Sequence, residues 1–126
     1  MKSIEVFQNI KEESYEELKN ILTTRKLSKK EILFYEREIT NKVYFIKEGK
    51  MSIFKINESG ERKVIFILRS GQMINNILID ESKSNTVSCE VFEKATLLEC
   101  DSKDLLKIME KDFSLTIVKI VFRSVS

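Results

Sequence analysis

The sequence predicts a mainly β domain with flanking helices, folded as a jelly-roll barrel. Three observations carry this. Short apolar segments alternate with turn residues between roughly residue 25 and residue 100. Three glycines, Gly49, Gly60 and Gly71, punctuate them at even intervals of eleven residues. Helical spacing is confined to the two ends of the chain. Strands with turn signals about every 8–12 residues are the pattern of antiparallel sandwiches and barrels.

The first element is a helix. Phe7, Ile10 and Tyr15 lead into Leu18, Ile21 and Leu22, the last three at i, i+3 and i+4, while Glu12, Glu13, Glu16 and Glu17 form a solvated face. Leu27 and Ile32-Leu33-Phe34 are short apolar islands among Lys and Glu. Val43 to Ile46 reads as a buried strand, Glu48-Gly49 as a turn, and Met51 to Ile56 as a second strand. Asn57 to Gly60 is the next turn, with Asn and Gly where positive φ is needed. Val64 to Leu68 is apolar on both faces, as in a strand covered from both sides.

Asn75 to Ile79 fits either a short helix or an irregular turn, and Asp80 to Asn85 reads as an exposed loop. Val87, Cys89 and Val91 alternate with polar residues, a half-buried strand. Lys94 to Cys100 returns with Ala95, Leu97 and Leu98 inside. Asp101 or Ser102 caps a helix carrying Leu105, Leu106, Ile108 and Met109. In all, seven or eight strands and two closing helices are expected. The last segment divides the chain into a barrel domain, 1–111, and the start of a dimerisation helix, 112–126. Its β-branched density suits a strand, but helical spacing gives two stripes: Leu115, Val118 and Phe122, and Ile117, Ile120 and Val121.

Composition excludes several function classes. The 126 residues are one domain's worth, and 22 basic against 20 acidic residues leave a net charge of +2, too little for a strongly basic nucleic-acid-binding domain. Histidine is absent, which removes His-based triads, His-ligated zinc and proximal-His haem. Asp80 and Glu81 have no further carboxylates at metal-ligand spacing, and no serine sits in a glycine elbow beside a base. The reading is no enzyme, no metal and no cofactor. No apolar run reaches membrane-spanning length and no signal peptide opens the chain, so a cytoplasmic protein with no membrane partner is expected. Cys89 and Cys100 fall on successive predicted strands. They admit a redox pair, or two buried thiols acting as small apolar side chains.

The stretch Val43-Tyr44-Phe45-Ile46-Lys47-Glu48-Gly49-Lys50-Met51-Ser52-Ile53-Phe54, continued by Gly60 to Ile65, Leu68 to Gln72 and Ala95 to Cys100, resembles the cyclic-nucleotide-binding domain, a double-stranded β-helix. The branch it resembles is the Crp/Fnr superfamily of bacterial transcription regulators. The resemblance implies an effector-sensing domain that forms a homodimer and acts on DNA through a C-terminal helix-turn-helix. No helix-turn-helix fits after residue 113, so the chain reads as the sensor half of a longer regulator, with a stand-alone sensor as the alternative.

The resemblance also implies a phosphate cassette after the third glycine. Its Gly-Glu pair falls on Asn75 and Asn76, its phosphate-binding Arg on Asn85, and its Ser/Thr on Thr86. Only Thr86 matches. Lys83 is the loop's one cation, and a lysine does not reproduce a bidentate guanidinium. The expected ligand is an unidentified, less charged small molecule rather than cyclic AMP or cyclic GMP. Ile74, Asn75, Asn76, Ile77, Leu78, Asn85 and Thr86 would line its site. Asn75 and Asn76 read equally as turn formers, and Asn85 as the residue that opens a strand. A ligand-free interaction and dimerisation domain is the alternative function.

Overall fold

The computed structural model describes residues 12–74 and 85–110. Its elements run α1 (Glu12–Ile21), β1 (Thr23–Leu27), β2 (Ile32–Phe34), β3 (Lys42–Ile56), β4 (Arg62–Arg69), β5 (Met73–Ile74), β6 (Ser88–Asp101) and α2 (Ser102–Met109). The predicted class holds: mostly β, with helices at the flanks. The six described strands form one antiparallel sheet in the order β1-β6-β3-β4, with β2 also on β6 and β5 also on β3. The ladder is open. Among the described residues β1 and β4 end it without pairing to each other, so the sheet is rolled rather than closed into a barrel.

Two long strands replace four short ones. The turn expected at Glu48-Gly49 is a kink inside β3, and β6 likewise runs unbroken from Ser88 to Asp101. The β3–β6 register shifts between Ile46 and Glu48, again to Lys50, and again to Met51. Such shifts bend a strand without ending it. Gly49 takes φ +93°, and its missing side chain leaves room for the backbone of Lys94 and Ala95. Turn and bulge draw on the same glycine chemistry, so the residue alone does not distinguish them.

The bent β3–β6 pair carries a core on each side. Val43, Phe45, Leu98 and Cys100 meet Leu18 of α1 and Leu105, Ile108 and Met109 of α2. The α2 contacts fall at i, i+3 and i+4, as the sequence periodicity predicts. Tyr44, Ile46, Met51, Ile53, Cys89, Val91, Ala95 and Leu97 turn the other way, into the roll, with Leu27, Phe34, Leu68 and Ile74. Burying a Leu, Ile or Phe side chain stabilises by roughly 1.5–3 kcal/mol. α2 starts at Asp101, which has extended cap geometry (φ −71°, ψ 138°) but makes no side-chain cap bond. Its carboxylate instead accepts from Lys42 Nζ at 2.8 Å, across the register from β3.

Cys89 and Cys100 are not on successive strands. Both lie on β6, Cys89 opposite Ile53 and Cys100 opposite Val43, one in each core. They are free thiols, which closes the redox-pair reading. Burial pushes both up to about 12, with nearby acidic groups adding to it: Glu90 for Cys89, and Asp104 and Asp101 for Cys100. The proposed dimerisation residues Leu115, Ile117, Val118, Ile120, Val121 and Phe122 lie outside the described residues.

Candidate functional site

The interior of the roll is the candidate site. Its floor is apolar. Phe34 of β2 stacks on Tyr44 of β3, ring centroids 6.5 Å apart and 21° between planes. The Tyr44 hydroxyl is hydrogen-bonded to the Thr40 side chain, and burial holds the phenol above its usual range. Half-buried Leu33, Phe66 and Val87 pack against this cluster. Sequence reasoning missed these three. Leu33 and Phe66 sit in apolar runs whose inward faces only the register resolves, and alternation marks Val87 as one side of a half-buried strand, not as a site residue.

Of the residues the sequence singled out, Ile74 ends β5, pairs with Tyr44 and is buried in the interior cluster. Asn75, Asn76, Ile77 and Leu78 lie outside the described residues. Asn85 is half-buried and Thr86 exposed, just before β6. Ile74 and Asn85 therefore stand at the two ends of the cassette segment, Ile74 in the apolar interior and Asn85 against the turn that follows β2.

Asn85 is held by the turn between β2 and β3. Its N–H donates to the Glu38 carbonyl at 2.7 Å, its carbonyl accepts from the Arg37 N–H at 2.8 Å, and its Nδ2 reaches the Tyr35 carbonyl at 3.5 Å. Arg37 adopts φ +76° to complete this clasp, and Glu38 Oε1 accepts from the Tyr35 N–H. One residue farther into the turn, the Glu36 N–H donates at 2.7 Å to the hydroxyl of buried Ser88. Asn85 thus stands in the approach to the last long strand, which begins three residues later at Ser88. Among the described residues no three His, Cys, Asp or Glu gather into a metal-holding group. No helix of the described residues is long and apolar enough to cross a membrane.

A rolled antiparallel sheet with an apolar interior and helices packed outside is the architecture of a jelly-roll domain. The family model of the cyclic nucleotide-binding domain matches residues 24–112, and the chain belongs to that family. No curated protein matches the sequence. Solved structures share the fold. The sensor domain of the transcriptional regulator DNR from Pseudomonas aeruginosa matches with TM-score 0.83 at 15% identity, over 98% of this chain and 83% of that one. The catabolite activator protein of Thermus thermophilus matches with TM-score 0.76 at 17% identity, over 92% of this chain. This chain spans about half of that protein, 54% of its length. The regulatory subunit of a cAMP-independent protein kinase A from Trypanosoma brucei matches with TM-score 0.82 at 11% identity, over 97% of this chain and 44% of that one.

Proposed function

We propose that this chain is the effector-sensing domain of a Crp/Fnr-type transcription regulator, and that its effector is a small molecule other than cyclic AMP. The observation that carries this reading is Asn85. It occupies the position to which the family resemblance assigns the phosphate-binding arginine, and its amide reaches a protein carbonyl. A charge-assisted hydrogen bond contributes roughly 1.5–3 kcal/mol, so its loss weakens a nucleotide phosphate about tenfold to a hundredfold. Asn76, in place of the carboxylate that accepts a ribose hydroxyl, weakens it further. The trypanosome neighbour, described as cAMP-independent, is an instance of this fold in a protein that does not answer to cyclic AMP.

In this reading residues 1–111 form the sensor and 112–126 begin the helix that pairs two copies. A full-length regulator would then carry the signal to DNA. Effector in the roll would act by preferring one arrangement of that helix over another. The test is a thermal-shift titration with cyclic AMP and cyclic GMP. No shift is expected at millimolar nucleotide. A ligand at 100 times its Kd adds about 2.7 kcal/mol, several degrees for a domain of this size. A shift of that order would overturn the reading.

A further inference from the structure

We infer that β4 pairs edge to edge with the β4 of a second copy of this chain, antiparallel, about a two-fold axis at Ile65. The contact is separate from the helix pairing proposed above and does not rest on the roll holding an effector. It starts from the run Val64 to Leu68, whose two apolar faces read as a strand covered from both sides. Only one face is covered. Phe66 and Leu68, opposite Ile53 and Met51, pack on or in the interior cluster. Val64 and Ile67, opposite Phe54 and Ser52, turn outward. Ile65 is the extra residue of a bulge, skipped by the β3–β4 register. Val64 is left 50% exposed and Ile65 45%.

The strand is also open along its length. β4 pairs with β3 alone, so among the described residues the backbone groups turned away from β3 meet no other strand. Exposed edges are usually guarded by charge, proline, a bulge or short length. β4 has eight residues, with no charge, proline or glycine between Val64 and Leu68. Arg62 is engaged by its own chain, over the Phe54 ring at 4.0 Å and with Glu90 at 2.7 Å. The guards that remain, Lys63 and the bulge, keep the pairing weak and concentration-dependent.

Charge sets the sense and the register. Glu61 and Arg69 stand at opposite ends of the edge, equidistant from Ile65. Neither makes an ion pair with another described residue. An antiparallel copy centred on Ile65 puts Val64 opposite Phe66, and Glu61 of each chain opposite Arg69 of the other. Moving the axis one residue toward Arg69 sets Lys63 against Arg69. Moving it one residue toward Glu61 leaves both ions unmatched. Because Ile65 lies on the axis, the two bulges meet there and the register on either side is kept.

The test is oxidative crosslinking of the 126-residue chain carrying Ile65→Cys. Cys89 and Cys100 are buried, so the introduced thiol reports alone. Directly opposed residues of an antiparallel pair lie within disulfide reach. Ile65→Cys should form a chain-to-chain disulfide about tenfold faster than Ile39→Cys, an exposed position off β4. Adding Arg69→Glu places two like-charge pairs across the axis and should slow crosslinking about tenfold. Adding Glu61→Arg as well should restore it. If Ile65→Cys crosslinks no faster than Ile39→Cys, or at a rate indifferent to these charges, the pairing is overturned. Copies joined only through the closing helix give that same overturning result, and the sensor reading stands either way.

Discussion

Gly49 and Ala95 touch where the two long strands bend past each other. A Cβ on Gly49 would lie 2.6 Å from the Ala95 Cα and 2.3 Å from the Lys94 carbonyl oxygen. Both obstacles are backbone, and φ at Gly49 is +93° besides. Gly60, in the hairpin turn at φ +85°, has nothing within 4 Å of the same added atom.

The two glycines should therefore separate in urea denaturation. Gly60→Ala is expected to cost about 1 kcal/mol, the conformational penalty alone. Gly49→Ala adds backbone displacement at the centre of the sheet and is expected to cost about 3 kcal/mol or more. Equal losses would show that the close approach at Ala95 does not matter.

Removing a wall of the helix-side core should cost more than any surface change. Phe45→Ala leaves a void between Leu18 and Leu105. The expected loss is about 3–5 kcal/mol. Ile39→Ala, at an exposed position, should stay within about 0.5 kcal/mol by the same measurement.

The thiols give a pH signature. Both are raised from 9.0 to about 12 by burial, so between those values the folded chain holds protons that the unfolded chain has lost. Their contribution is fully present below pH 9 and is lost as the pH rises toward 12, by about 1.4 kcal/mol per unit for each thiol. Urea midpoints should fall above pH 9. At pH 8 the folded chain should resist thiol-disulfide reagents that modify the unfolded chain quickly. Rapid modification of folded protein at pH 8 would contradict the burial.

Asn85 predicts a gain of function. Asn76→Glu with Asn85→Arg restores the two side chains the family pattern assigns to ribose and phosphate. The double variant should acquire a thermal shift with cyclic AMP that the unaltered chain lacks. The backbone clasp to Arg37 and Glu38 does not depend on the side chain at 85, so the fold should tolerate the change.

Lys63→Glu should stabilise. It turns a like-charge pair, Lys63 directly opposite Lys55, into an opposite-charge pair. The expected gain is about 0.5–1 kcal/mol at low salt, shrinking as salt is added. No gain would mean that the two ammonium groups do not feel each other.

The fold was legible where one residue's environment repeats with a period. Alternation at Val87, Cys89 and Val91, and helical spacing at Leu105, Ile108 and Met109, each report a buried face directly. Strand continuity was not legible, because the evenly spaced glycines mark two turns and one kink in the same letter. The redox-pair alternative fails with it, because one continuous β6 puts Cys89 and Cys100 in different cores, while the reading of two buried thiols stands. At the site, the loss of arginine at Asn85 could be read from the family pattern. The clasp that Arg37 and Glu38 place on it could not, because it joins distant segments through a non-glycine residue at positive φ. The Lys55–Lys63 pair needs the register shift between Ile53 and Phe54, which no local signal reports.

Since β3 and β6 supply both cores, neither core can form before these two strands find each other from opposite ends of the chain's central region. Folding must therefore wait on one long-range pairing and should proceed slowly, in a single phase. In the native state, the amide protons of Tyr44, Phe45, Leu97 and Leu98 should exchange with solvent together and last, through one global opening.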